Sequence, residues 1–347
     1  MQITKTLLLF LTLIFQNCNT TEPPVKVEKN PREYAWTMDT LYYPGGLQTL
    51  LRSIWGSSAN DLYCVGHSDE FKGQIWHYNG TQWTSLYIPM GLVYTPTAVY
   101  GFSANDIWIA GDGGSVDSAF IMHYDGNTWK RVYANEGKLI ETIWGRSSND
   151  VWFGGLNGTK IFHWDGVSIK KDSIPYYTPD GYTQVLSING NTSGEVYFLL
   201  FSYLVQDHMS LFMNKQNNWS VIDSSVWGYD RKKVWVSNEG SIYETGDGGF
   251  FRWNGSGWNN LLGEINGITC GIKSLSENNM FIVGWDSPAA GGTKGIVYHY
   301  DGKDFYTYEN LQLDDVTFMD VWWNGEEAFI VGYTHNYPQK TIILHGE

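Results

Sequence analysis

Histidine is the side chain best suited to ligate a metal or to move a proton near neutral pH, and this chain repeats it in a fixed setting. Residues 75–83 read IWHYNGTQW, 121–129 IMHYDGNTW, 161–169 IFHWDGVSI and 296–305 VYHYDGKDF. The phrase returns as IILHGE at 342–347. His77, His123, His163, His299 and His345 therefore share one position beside an Asn-Gly or Asp-Gly turn or its truncated start. Asn-Gly and Asp-Gly favour the positive φ of tight hairpins, so each histidine stands on a strand. Five equivalent histidines are either chemistry or packing, and the elements that carry them decide which.

A second phrase precedes each hairpin: SIWGSSANDLYCVG (53–66), AVYGFSANDIWIAG (98–111) and TIWGRSSNDVWFGG (142–155). Weaker copies are SINGNTSGEVYFLL (187–200), SVWGYDRKKVWVSN (225–238), GIKSLSENNMFIVG (271–284) and MDVWWNGEEAFIVG (319–332). Each unit holds four strand-like runs. In the first, strand A is RSIW, strand B is LYCVG, strand C is QIWHY and strand D is TQWTSL. Four antiparallel strands every ~40–50 residues, with no amphipathic helix between them, predict an all-β, seven-bladed β-propeller. The seventh unit has no strand D, whereas YAWTMDTL (34–41) is an unpaired strand that matches TQWTSL through Trp36-Thr37. The N-terminal strand is thus expected to complete the last blade and remove an open sheet edge.

This architecture answers the histidine question. Metal ligands must converge within ~2 Å of one ion, but equivalent positions on different blades lie far apart around a ring. A shared metal site is excluded, and the histidines are expected to pack between blades with a ring nitrogen satisfying nearby backbone. The strand D tryptophans Trp83, Trp129, Trp219 and Trp258 and the strand A tryptophans Trp55, Trp144 and Trp227 read as blade packing. Cys64 falls in blade one and Cys270 in blade six, with blade seven between them, so two buried thiols are expected rather than a disulfide.

The N-terminus begins MQITKTLLLFLTLIFQNC. Its apolar run is too short to span a bilayer as a mature helix and reads as an export signal. Residues 1–17 are read as this signal, 18–33 as a tether rich in proline and charge, and 34–347 as the propeller. Removing residues 1–17 takes away only Lys5 and leaves 21 Lys and Arg against 36 Asp and Glu, a net charge of −15. Such an acidic surface with no basic cluster argues against nucleic acid as a partner.

Cys18, followed by polar NTTEPP, resembles the lipidated cysteine of bacterial lipoproteins, and Asn19 after it implies the outer membrane. The repeat as a whole resembles repeats of bacterial exported β-propeller proteins, many of them lipoproteins without an assigned activity. It is more loosely similar to tectonin-type lectin propellers. That resemblance implies a lipid-anchored or extracellular, monomeric propeller that touches the membrane only through its anchor. Sialidase-type Asp-boxes occupy the same turn but need S-x-D-x-G-x-x-W, which this chain does not write.

Function is expected where the repeats diverge. The A–B and C–D turns are short and repetitive, whereas the B–C and D–A connections on the opposite face vary and are rich in tyrosine. Variable loops on a rigid scaffold commonly carry binding. The residues following strand B should ring the channel mouth: His67, Asp112, Leu156, Phe201, Glu239, Trp285 and Tyr333. Of these, Trp285, Tyr333, His67 and Asp112 on consecutive blades, with the loop tyrosines Tyr176, Tyr177 and Tyr337, form the expected site for a glycan or protein ligand. No catalytic residue, metal or cofactor is assigned. Only Arg52 stands near the channel, while Arg146 and Arg231 are read into A–B turns, so a sialidase-like arginine cluster cannot be built. The alternative is a propeller-fold glycoside hydrolase or lyase using channel-mouth residues.

Overall fold

Apolar and aromatic runs of three to ten residues, cut by Gly, Asn and Asp turns, fold into seven antiparallel sheets of four strands each. The computed structural model describes residues 29–89, 94–114, 119–134, 138–156, 160–175, 183–202, 208–224, 231–289 and 291–347. Among these, the only helical turns are three short 3-10 segments, and no helix is long and apolar enough to cross a membrane. The chain is a seven-bladed β-propeller.

In blade one, strands A to D are Thr49–Ser58, Asp61–Ser68, Ile75–Tyr78 and Trp83–Ser85, paired in that order. Successive side chains of a strand point to opposite faces, and both faces are covered. From strand B, Leu62 and Cys64 pack against blade seven, while Tyr63 and Val65 pack against blade two. The same arrangement recurs around the ring, so the apolar core is divided into seven aromatic-rich wedges, one at each seam between blades. This is why apolar residues occur at both parities of strand B. Cys64 and Cys270 are buried thiols not bonded to each other, as expected from their separation in the ring.

Blade seven closes as anticipated. Its strands A to C are Val316–Trp323, Ala328–Thr334 and Thr341–Gly346, and Trp36–Leu41 pairs antiparallel with the last of them, from Trp36 opposite Gly346 to Leu41 opposite Thr341. Ala35 and Glu347 extend the ladder by exchanging backbone hydrogen bonds of 2.9 and 3.1 Å. Docking begins earlier than the expected domain start at residue 34. Pro31–Glu33 forms a 3-10 turn, Arg32 pairs with Asp301 at 3.0 Å, and the Tyr308 hydroxyl donates to the Pro31 carbonyl at 2.8 Å.

Unit five corrects the expected phase. The stretch KVWV belongs to strand A (Arg231–Val236), and strand B is Ile242–Gly246. The hairpin between them uses Ser237–Gly240, where Gly240 takes φ +91° and donates its N–H to the Ser237 carbonyl. A short apolar run reads equally well as either strand, and here the glycine that can adopt positive φ chose the turn. Glu239 therefore lies in an A–B turn on the face opposite the expected one, and Asp247 follows strand B instead. Arg231 starts strand A rather than sitting in the A–B turn.

Candidate functional site

The recurrent histidines are held by side chains, not by backbone as expected. His77 Nε2 meets Asp61 at 2.7 Å, His123 meets Asp106 at 2.7 Å, His163 meets Asp150 at 2.8 Å, and His345 meets Glu327 at 2.8 Å. The partner is the acidic residue that opens strand B, or in blade seven Glu327 just before it, and the imidazole lies on an aromatic ring of strand B. His123 stacks on Trp108 at 4.0 Å, His163 on Trp152 at 3.8 Å and His345 on Phe329 at 4.0 Å. Burial alone would raise the Asp61 carboxyl, but hydrogen bonds from His77 and Ser57 and the charge of His77 hold it below its ordinary value. Each pair ties strand C to the A–B turn within its blade.

Blade six writes Asn279 where the others write an acid, and the chemistry changes with it. His299 Nε2 stands 2.7 Å from Asn279 Oδ1, and Arg32 Nε donates to His299 Nδ1 at 3.3 Å. Nδ1 is thus an acceptor and the ring neutral. Burial, reinforced by the Arg32 charge, pushes its pKa down to about 4. A histidine depressed in the folded state binds its proton more readily when unfolded, so stability falls as pH drops from about 6.5 to about 4. Urea denaturation over that range should show a loss of roughly 3 kcal/mol that His299→Gln removes. An unchanged pH slope in this variant would contradict the assignment.

With the histidines explained, the channel is the remaining concentration of chemistry. Strand A lines it, and in most blades the A–B register skips one residue, a β-bulge that adds an extra side chain on strand A. The skipped residues are Arg52, Thr97, Leu186, Lys232, Cys270 and Met319. Glu141 holds the equivalent place in blade three, donating its N–H to the Gly154 carbonyl at 2.8 Å. Burial raises the Glu141 carboxyl despite a hydrogen bond from Gln184 and the charges of Arg52, Lys232 and Lys233. The next strand A position forms staples between neighbouring blades. Ser53 accepts from Val99 N–H, Thr142 from Ile188, Ser187 from Val234 and Asp320 from Ile54. Two residues further on, Trp55 leans on Gly101 and Trp144 on Gly190 of the following blade. Trp322 Nε1 donates to the Gly56 carbonyl at 2.8 Å. The recurrent Trp-Gly pair is this contact between one blade's tryptophan and the next blade's glycine.

A cavity of about 400 Å³ occupies the channel, lined by strand A residues from Ser53 and Asp320 to Trp55, Lys273 and Asn238. It lies toward the A–B turns, and Trp285, Tyr333, His67 and Asp112 do not line it. Those four lie in the last two residues of strand B rather than after it, and are half-buried. Burial pushes the His67 pKa down, with Arg52 adding to the effect and Asp69 opposing it. Burial likewise raises the Tyr333 hydroxyl, against the charges of Arg52 and Lys232. His67 and Tyr333 thus sit within electrostatic reach of Arg52. Asp112 Oδ1 accepts the Gly114 N–H at 2.8 Å and is engaged in its own turn. Tyr176, Tyr177 and Cys18 lie outside the described residues.

Tyr337 is the most exposed of the expected residues, at 70%, and it belongs to a patch. Tyr42, Leu47 and Phe71, on the loops of blades seven and one, are also exposed. Gln48 Nε2 donates to the Tyr337 hydroxyl at 3.2 Å and to Gln339 Oε1 at 2.6 Å, while Asp69 accepts the N–H groups of Leu47 and Gln48. The Lys340 ammonium stands 4.9 Å from the Tyr42 ring centre. Among the described residues, one group of three potential metal donors is close together: Glu327, His345 and Glu347. It is the blade-seven histidine–acid pair with one more carboxylate beside it.

No protein-family model matches the chain, and no curated protein matches it. Solved structures of similar shape share its fold at low identity. YCF48 bound to D1 peptide superposes with a TM-score of 0.63 at 15% identity, over 92% of this chain and 97% of that one. The extracellular domain of a one-component system from B. thetaiotaomicron gives 0.59 at 10% identity, over 88% of this chain and 39% of that one. The GH74 xyloglucanase from Xanthomonas campestris gives 0.57 at 12% identity, over 87% and 53%.

Proposed function

We propose that this protein is a non-catalytic binding module, exported and held at the cell envelope by a lipid on Cys18, that takes a protein or glycan ligand on the B–C/D–A face. The observation that carries the reading is the exposed apolar seam. Of the large hydrophobic side chains open to solvent, Tyr42 (53%), Leu47 (61%), Phe71 (48%) and Tyr337 (70%) all belong to the D–A and B–C connections of blades seven and one. Exposed aromatic and apolar side chains gathered on variable loops support an interaction surface. The hydrogen bonds through Gln48 and Asp69 hold it in place before a ligand arrives, which lowers the entropic cost of binding. Trp285 and His67 flank the seam on blades six and one, and Tyr333 stands on blade seven itself.

The non-catalytic reading is supported by what the perturbed carboxyls do. Glu141 is engaged by Gln184 and Asp320 accepts the Ile54 N–H at 3.2 Å, so both are already used in joining neighbouring blades. The structural neighbours include a peptide complex, an extracellular domain and a hydrolase, and at these identities they speak for the fold alone.

The test is a glycan array and a pull-down from the native envelope, run with wild type and with a Tyr42→Ala/Tyr337→Ala variant. Exposed aromatic anchors contribute roughly 1–3 kcal/mol each, so titration of the ligand found should show a loss of about tenfold or more. Asn79→Ala, in a C–D turn on the other face, should leave affinity unchanged. Loss of binding with Asn79→Ala and not with the tyrosine variant would refute the chosen face. Fractionation should place wild type with membranes and Cys18→Ser in the soluble phase; equal partition would refute the anchor.

A further inference from the structure

The cavity in the channel departs from its own repeat in three adjacent blades. Strand A position 53 is filled by Ser53, Ala98, Thr142 and Ser187 in blades one to four, but by Lys233 in blade five and Asp320 in blade seven. Position 55 is Trp or Tyr in five blades, but Asn189 in blade four and Lys273 in blade six. A lysine there gives up the aromatic packing that five blades use. Packing therefore does not explain it.

Charge counting sharpens the point. Lys233, Lys273 and Asp320 all line the cavity. No carboxylate among the described residues comes within 4.0 Å of either ammonium. One of the Asp320 oxygens is occupied by the Ile54 N–H. Burial lowers the Lys273 pKa, opposed only by Asp320, and burial raises the Asp320 carboxyl, opposed first by Lys233. Two ammonium groups and two carboxyls line the cavity, but each carboxyl already has a donor, the Ile54 N–H for Asp320 and Gln184 for Glu141, and the Arg52 charge acts on Glu141 as well. Arg52, Lys233 and Lys273 thus outnumber Asp320 and Glu141 along the channel of a chain whose formal net charge is −14. Partly buried charges without partners are costly unless water or a ligand neutralises them.

The remaining lining says what kind of anion. Asn189 and Asn238 supply amide groups, and Trp55 and Trp235 are half-buried ring faces at the cavity wall. Asn189 Oδ1 already accepts the Val236 N–H at 2.9 Å, which leaves its NH₂ as a donor. A volume of about 400 Å³ lies within the range of small-molecule sites and excludes a folded partner or a polymer wall. Ammonium groups for a carboxylate, amide and carboxyl groups for hydroxyls, and aromatic faces for a ring fit one ligand class. We infer that the channel cavity binds a small hydroxylated carboxylate, such as an acidic sugar, through Lys233 and Lys273. This site is separate from the exposed seam, at the other end of the channel.

Isothermal titration of the purified propeller with glucuronate, glucose and inorganic phosphate tests it. Glucuronate should bind at least tenfold more tightly than either of the other two. Lys273→Met and Lys233→Met should each lower glucuronate affinity about tenfold or more. Melting temperatures and circular dichroism of both variants establish that the ring is intact. If Lys273→Met fails to fold, Lys273→Gln, which keeps a polar tip, carries the same expectation. The Tyr42→Ala/Tyr337→Ala variant should bind glucuronate as wild type does, so a failure at the seam and a failure here are distinguishable. Equal binding of glucose, equal or tighter binding of phosphate, no binding of glucuronate, or unchanged affinity in both folded lysine variants would each overturn the proposal.

Discussion

A chain shortened to begin at Tyr42 is expected to melt roughly 10 °C below the full propeller. The shortening removes Tyr34, Trp36 and Leu41, which pack into the seams on either side of blade seven. Trp36 sits edge-on to Tyr308 and Phe281 at 5.5 and 6.1 Å. The Tyr34 hydroxyl accepts from Trp323 Nε1 at 3.1 Å and donates to the Gly325 carbonyl at 3.1 Å. Burying three such side chains stabilises by about 6 kcal/mol together. Their loss also exposes Thr341–Gly346 as an open edge, so the shortened protein should aggregate more readily. Differential scanning calorimetry together with light scattering checks both expectations. A melting temperature within about 2 °C of the full chain would show that the ring does not depend on this strand.

Gly111→Ala is expected to destabilise the fold by about 3 kcal/mol or more, an unusually large effect for adding one methyl group. The reason is the strand A bulge. It turns a strand A carbonyl toward strand B, and a Cβ on Gly111 would stand 2.1 Å from the Thr95 oxygen. The same approach recurs at 2.2 Å for Gly66, 2.1 Å for Gly155, 2.1 Å for Gly284 and 2.4 Å for Gly332. The obstructing atom is backbone, so no rotamer change relieves it. Gly257→Ala, where a Cβ meets nothing within 4 Å, should stay within about 0.5 kcal/mol and serves as the control. Urea denaturation of the two variants gives the comparison, and a loss below about 1 kcal/mol for Gly111→Ala would mean that the bulge yields easily.

The blade framework is legible residue by residue. Asn-Gly and Asp-Gly place the C–D hairpins, the recurrent glycine ends strand B, and Trp36-Thr37 identifies the strand that closes the ring. The histidines pack as expected, although the partners of four of them are acids at the start of strand B and that of His299 is Asn279. The misphased unit shows where this reasoning weakens. KVWV has the pattern of either inner strand, and only pairing with Ile242–Gly246 decides between them. The cavity residues were readable in principle. Lys273 in the tryptophan position and Asp320 in the serine position break the repeat, and such breaks carry more information than the matches. Tyr337 stands exposed in a loop, whereas the exposed Leu47 and Phe71 had no signal of their own.

The sequence by itself determined the number of blades, the strand that closes them and the packing role of the histidines, because period and turn chemistry are local properties of the chain. What faces the channel and what meets across a seam were decided only in three dimensions. A bulge adds one residue without disturbing the two-residue alternation enough to be seen, yet it turns Arg52, Glu141 and Lys232 toward the channel. Ring closure then brings Gln48 to Gln339 at 2.6 Å and the Asp320 carboxyl to the Ile54 N–H, pairs that stand at opposite ends of the chain. No local pattern encodes such neighbours, since they exist only once the last blade has met the first.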